Sequence, residues 1–133
     1  MAVEGETAAL AAMRISPQEI QALNGLVKRM DDLSQSDAEA EELADQEFHL
    51  GIAQAARNSA LYATVQWLWA MRRSAETSVA FHNWLREQGS HPTVADHQRI
   101  LAAIQTRDPA AARNAMHAHL QHVQQELSEY AFN

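Results

Sequence analysis

The chain has 133 residues with 10 Lys and Arg against 17 Asp and Glu, seven His, no Cys, four Gly and three Pro, a length that suits one domain around a single core. A hydrophobic fraction of 47% with 20% charged residues excludes wholesale disorder, and the lack of Cys excludes disulfide scaffolds, zinc ribbons, iron–sulfur clusters and thiol catalysis. A net charge of −7 argues against direct nucleic-acid binding, and no apolar run reaches the roughly 18–20 residues of a membrane span.

The scarcity of Gly and Pro, set against abundant Ala, Gln, Glu, Leu and Met, predicts an all-α fold. Helices are predicted near 5–14, 17–33, 37–56, 60–87, 92–106 and 109–130. All three prolines fall at expected helix starts, in Ser16-Pro17, His91-Pro92 and Asp108-Pro109, the first-turn position that proline tolerates. Ser16-Pro17-Gln18-Glu19 and Ser36-Asp37-Ala38-Glu39 both fit the capping box. The expected architecture is a single antiparallel helical bundle over 1–133 with short connections.

Several ionisable residues fall on apolar stripes. In the third helix Asp45 and His49 share the side of Phe48, Ile52 and Ala56, and residues four apart are neighbours on a helix. In the fifth, His97 precedes Ile100, Leu101 and Ile104 at helical spacing; in the last, His119 lies among Ala112, Ala115, Met116, Leu120, Val123 and Leu127. One carboxylate and three imidazoles are thus expected to point inward. Burying them unpartnered costs several kcal/mol for the carboxylate alone. A divalent cation resolves the cost for all four, and this donor set suits Zn, Ni, Fe(II) or Mn. Hydrogen-bonded core histidines resolve it equally well, so periodicity alone leaves both readings open. The other histidines serve as a control: His117 falls on a polar face, His91 in a loop and His82 at a boundary, with His122 as a reserve ligand. In the fourth helix, Leu61, Val65, Leu68, Arg72, Ala75 and Val79 share one stripe, so Arg72 can face inward and pair with a carboxylate or snorkel to solvent. Asn58 is expected to cap that helix, with ligand contact as the other reading. Trp67, Trp69 and Trp84 read as core or dimer-surface residues.

The sequence resembles the FCD domain, the effector-binding half of FadR-type GntR transcription regulators. Glu4 with Ala8-Ala9-Leu10-Ala11-Ala12 is similar to the family's opening helix, and Asp45-Gln46-Glu47-Phe48-His49 resembles its Asp-x-x-Phe-His motif. Ala55-Ala56-Arg57-Asn58 with Leu61 resembles its following turn. His97-Gln98-Arg99-Ile100-Leu101-Ala102-Ala103-Ile104 resembles its His-x-x-Ile-Leu helix, and Asp108, Ala111-Ala112, Met116 and His119-Leu120 its closing pattern. The resemblance implies a metal held by Asp45, His49, His97 and His119, Zn or Ni first and Mn or Fe next. It also implies a small organic-acid effector beside the metal, with Arg72 and Asn58 as candidate contacts, a homodimer, and a cytoplasmic regulator without membrane attachment. The winged helix-turn-helix that precedes this domain in such regulators has no counterpart here, and the family's Arg ahead of the opening Glu would fall at Met1. This chain by itself is therefore expected not to bind an operator. Two other functions compete with the sensor. A helical metalloenzyme lacks support, because neither Glu-x-x-His nor His-Glu-x-x-His occurs. A metal-free structural interaction domain would satisfy its inward histidines by hydrogen bonds alone.

Overall fold

Capping chemistry sets where the helices begin. In the computed structural model, which describes residues 2–33, 36–73, 80, 83, 84, 87 and 93–132, Glu19 N–H donates to Ser16 Oγ (3.2 Å) and Ser16 N–H donates back to Glu19 Oε1 (3.0 Å). That reciprocal pair is the expected capping box. Six helices follow among the described residues: α1 (Ala2–Arg14), α2 (Pro17–Leu33), α3 (Ala38–Ala55), α4 (Ser59–Arg73), α5 (Thr93–Gln105) and α6 (Pro109–Phe132), with no strand.

The second capping box is shifted by one residue. Asp37, not Ser36, is the N-cap of α3, its Oδ1 accepting from Ala40 N–H at 3.0 Å. The third helical position is then Ala40, which has no side chain to reach back, so the reciprocal arm is missing. Asn58 and Asp108 cap α4 and α6 in the same way, accepting from Leu61 and Ala111 N–H at 3.1 Å each. The predicted helix over 60–87 is seen as α4 to Arg73; most of its remainder, including Ala75, Val79 and His82, lies outside the described residues, as do His91 and Pro92 beyond it.

Helix ends are closed by arginines. Arg57 and Arg107 adopt left-handed backbone (φ 57° and 61°) just after α3 and α5, a conformation that glycine takes more readily. Both side chains cross to another segment: Arg57 pairs with Glu19 on α2, and Arg107 Nη1 donates to the Ile15 carbonyl. Arg14 Nη1 likewise donates to the Ala56 carbonyl at 2.7 Å, joining the end of α1 to the end of α3.

Apolar stripes then assemble the bundle. α1 packs on α3 and α6, α2 on α3 and α5, and α5 on α6. The main core holds Leu23, Met30, Phe48, Ile52, Ile100, Ile104 and Met116, all essentially inaccessible. α1 passes through the middle because it is built from small residues: Ala8, Ala9, Ala11 and Ala12 are buried, and a methyl group at Gly5 would lie 2.1 Å from His117 Nε2. His117, expected on a polar face, is therefore half-buried against α1. A smaller cluster of Ala53, Val65 and Trp69 seats α4 on α3.

The inward stripe of α4 differs from the expected one. Tyr62, Val65, Trp69 and Arg72 face the bundle, whereas Leu68 is exposed, as are Trp67 and Met71. The helix turns so as to bury Trp69, whose large ring removes more apolar area from water than Leu68 would. On α6 the stripe runs out past Leu120: Val123 is half-buried, Leu127 is exposed, and Glu126 is buried instead. Trp84 stacks at an angle on Tyr130, with centroids 5.6 Å apart. No helix among the described residues is long and apolar enough to cross a membrane.

Candidate metal centre

Three helices turn four ionisable side chains toward one point. The four-residue spacing on α3 stacks Asp45 over His49, α5 supplies His97 and α6 supplies His119; all four residues are buried. One ligand atom from each lies within 4.8 Å of all the others. His97 Nε2 is 2.8 Å and His49 Nε2 3.2 Å from the same oxygen, Asp45 Oδ1, and the two nitrogens are 3.4 Å apart. Aromatic walls close the space around them. Phe48 meets His97 edge-on at 4.7 Å, and Trp69 lies 5.1 Å from the His49 ring. The His119 ring is 4.6 Å from that of His97 and 5.4 Å from that of His49.

Two more carboxylates hold the outer sides of the rings. His49 Nδ1–H donates to Glu4 Oε1 at 2.7 Å, and His119 Nδ1–H donates to Asp96 Oδ2 at 3.1 Å. Glu4 reaches the centre from the first turn of α1, and Asp96 from the position beside His97. Arg99 Nη1 (2.7 Å) and His122 Nδ1 (3.1 Å) also donate to Asp96. His122, the reserve ligand, thus stands outside the group of four, bridging Asp96 and Glu126.

The electrostatics follow from this wiring. Burial alone would lower the His49 pKa, but Glu4 and Asp45 on either side of its ring override that and push it up to about 10. Burial opposes ionisation of Asp45 too, yet His97 and His49 hold its pKa well below the ordinary carboxyl value. Glu4 and Asp96 are likewise held below their ordinary values, against burial, by His49 and by His119 and His122 respectively. His119 goes the other way: burial lowers its pKa, with His97 and His49 adding to the effect, despite the Asp96 hydrogen bond. Neutral His119, with its proton on Nδ1, leaves the Nε2 lone pair for the centre.

This donor set fits a divalent metal. With Nδ1–H committed to Glu4, His49 can turn Nε2 toward an ionised carboxylate only if a cation lies between them, a proton or a metal. Three imidazoles and one carboxylate are suited to Zn, Ni, Fe or Mn, and outer carboxylates on the imidazole N–H groups are what ligating histidines carry.

Arg72 sits at the margin of the centre. Its Nη2 is 3.9 Å from Asp45 Oδ2 and its Cζ lies 4.5 Å over the Trp69 ring. Asn58 is exposed at the start of α4 and lines a groove of about 460 Å³ with Ala53, Gln54, Arg57, Ser59 and Tyr62, none of them among the four clustered residues. Glu4 entered the sequence reading only through its helix, and Asp96 did not enter it. An acidic residue in a first helical turn is ordinary in its own right, and only the packing of α1 on α3 and of α5 on α6 reveals the role of either.

The FCD domain family matches residues 1–122. The chain belongs to that family. This FCD domain is 30% identical over 131 residues to the Uxu operon transcriptional regulator of Escherichia coli, covering 97% of this chain and 51% of that protein. It is also 30% identical over 124 residues to the Exu regulon transcriptional regulator of the same organism, covering 90% and 45%. The chain thus spans about half the length of the curated relatives it matches. Among solved structures it resembles a GntR protein of Streptococcus agalactiae, with a TM-score of 0.71 at 26% identity, covering 92% of this chain and 53% of that one. It shares its fold with E. coli McbR/YncC at a TM-score of 0.77 and 18% identity, covering 97% and 64%. The all-α reading and the family resemblance are both borne out, and the Uxu and Exu relatives are transcriptional regulators rather than enzymes.

Proposed function

We propose that this FCD domain binds a divalent metal through Asp45, His49, His97 and His119 and uses it to sense a small carboxylate effector. The observation that supports this most directly is the convergence of four buried ligand atoms from three helices. When bound, the ion supplies a Lewis-acidic anchor for an anionic oxygen donor. The rest falls to the chain's own groups. Phe48 and Trp69 keep the centre dry, which strengthens every charge interaction there. Arg72, with its Cζ 4.5 Å over the Trp69 ring and Nη2 3.9 Å from Asp45 Oδ2, is the candidate to pair with an effector carboxylate; Asn58 is a more distant candidate. Effector binding then favours one seating of the helices over another by its differential affinity for the two. Transcriptional regulation as a homodimer, with DNA contacted through a segment other than residues 1–133 and in the cytoplasm, belongs to the same proposal, supported by the regulators it resembles.

Elemental analysis of protein purified without added metal tests the reading. We expect stoichiometric Zn, Ni, Mn or Fe in the parent and little in Asp45→Ala or His97→Ala. Metal-free parent protein that still folds would favour the structural alternative, which rests on the fact that Glu4, Asp45 and Asp96 already give each of the three rings a carboxylate partner. Binding of an organic acid by the metal-loaded domain, measured calorimetrically and weakened in Arg72→Ala, tests the effector half.

A further inference from the structure

Two carboxylates outside the group of four occupy equivalent positions on different ligands. Glu4 Oε1 takes the Nδ1 proton of His49 at 2.7 Å, and Asp96 Oδ2 takes that of His119 at 3.1 Å. Neither is an incidental surface pairing. Glu4 is largely shielded on α1, and Asp96 is buried and fixed from its other side by Arg99 at 2.7 Å. A histidine whose Nδ1 proton is held in this way can offer only Nε2 as a ligand, its ring cannot rotate, and the neighbouring negative charge makes that nitrogen a stronger donor. We propose that Glu4 and Asp96 are positioning residues of the metal centre, fixing the tautomer and ring plane of His49 and His119. The inference rests on the metal reading above and extends it to residues that touch no metal. It also brings in a fourth helix: α3, α5 and α6 supply the ligands of that reading, and α1 contributes Glu4.

Cobalt(II) titration of the purified chain, followed by its visible absorption, provides the test, with Glu4→Gln and Asp96→Asn as the variants. Both amides keep one oxygen able to accept the Nδ1 hydrogen bond and remove the charge; in Asp96→Asn the amide nitrogen also replaces the oxygen that accepts from the exposed Arg99, so folding of both variants is checked by far-ultraviolet circular dichroism. Each is expected to weaken cobalt binding about 10–100-fold and to alter the cobalt band, while Glu6→Gln, on an exposed carboxylate of the same helix, leaves both unchanged. Cobalt affinity within twofold of the parent in both variants, with an unaltered band, overturns the proposal and leaves the metal reading intact. A parent chain that takes up no cobalt overturns the metal reading itself. As a readout without any variant, nitrogen NMR of the zinc-loaded parent should show His49 and His119 protonated at Nδ1; a proton on Nε2 of either overturns the assignment.

Discussion

Asp45 and Glu19 are both carboxylates held ionised by basic partners, yet they sit in opposite solvents. Asp45 is buried and shares one oxygen between His97 and His49 at 2.8 and 3.2 Å. Glu19 is half-exposed on α2 and takes both Nη atoms of Arg57, at 2.7 and 2.9 Å. The hydrogen-bond lengths are alike, but the consequences are not. A surface pair is screened by water and worth little. A buried cluster leaves an uncompensated charge whenever one member is lost. Hydrogen-bond length therefore does not separate the candidate centre from an ordinary surface pair in this bundle; burial of the charge does.

The largest effect should come from opening the centre to its surroundings. Phe48 has no exposed surface and stands edge-on to His97, so Phe48→Ala should cost about 3–5 kcal/mol in denaturant unfolding; a loss below about 1 kcal/mol would show that the wall collapses around the cavity. Next comes the metal. Saturation at a hundredfold above its dissociation constant should add about 2.7 kcal/mol of stability, removed by a chelator, and a melting temperature indifferent to chelation would make the cluster merely structural. Arg57→Ala should have the smallest effect. Arg57 first, and Ser16 to a lesser extent, hold the Glu19 carboxyl down from 4.5 to about 2 against the effect of burial, and the variant removes the Arg57 share. A pKa lowered by folding contributes stability above the unfolded value, so this increment is present above pH 4.5 and is lost as pH falls through about 2. Parent and variant melting curves should therefore differ at neutral pH and converge in acid. An undiminished gap near pH 2 would assign the difference to something other than this ion pair.

How far the sequence could be read depends on the range of each interaction. The Ser16–Glu19 box, the proline at the start of α2, and the Asp45–His49 pair are all local, and spacing reveals them. His97 and His119 were legible for another reason: each interrupts an apolar stripe with a group that cannot stay there unpartnered. Asp96 offers no such sign, because it directly precedes His97, about 100° around the helix, and only α6 across the interface gives it His119 and His122. The stripe of α4 was right at Val65 and Arg72 and wrong at Leu68, because Leu68 and Trp69 are both plausible by period and burial of Trp69 against Ala53 and Val65 decides between them.

Composition and periodicity on their own determined an all-helical chain, most of its helix starts to within a residue or so, and an inward-facing acid with three imidazoles, since each follows from a few neighbouring residues on one helix. Tertiary packing alone decided that the four ligand atoms meet, that Glu4 and Asp96 stand behind two of them, and that Arg72 lies over Trp69 at the margin. These are contacts between helices distant in the chain, and the energy that selects them is the burial of whole faces, which no single segment carries.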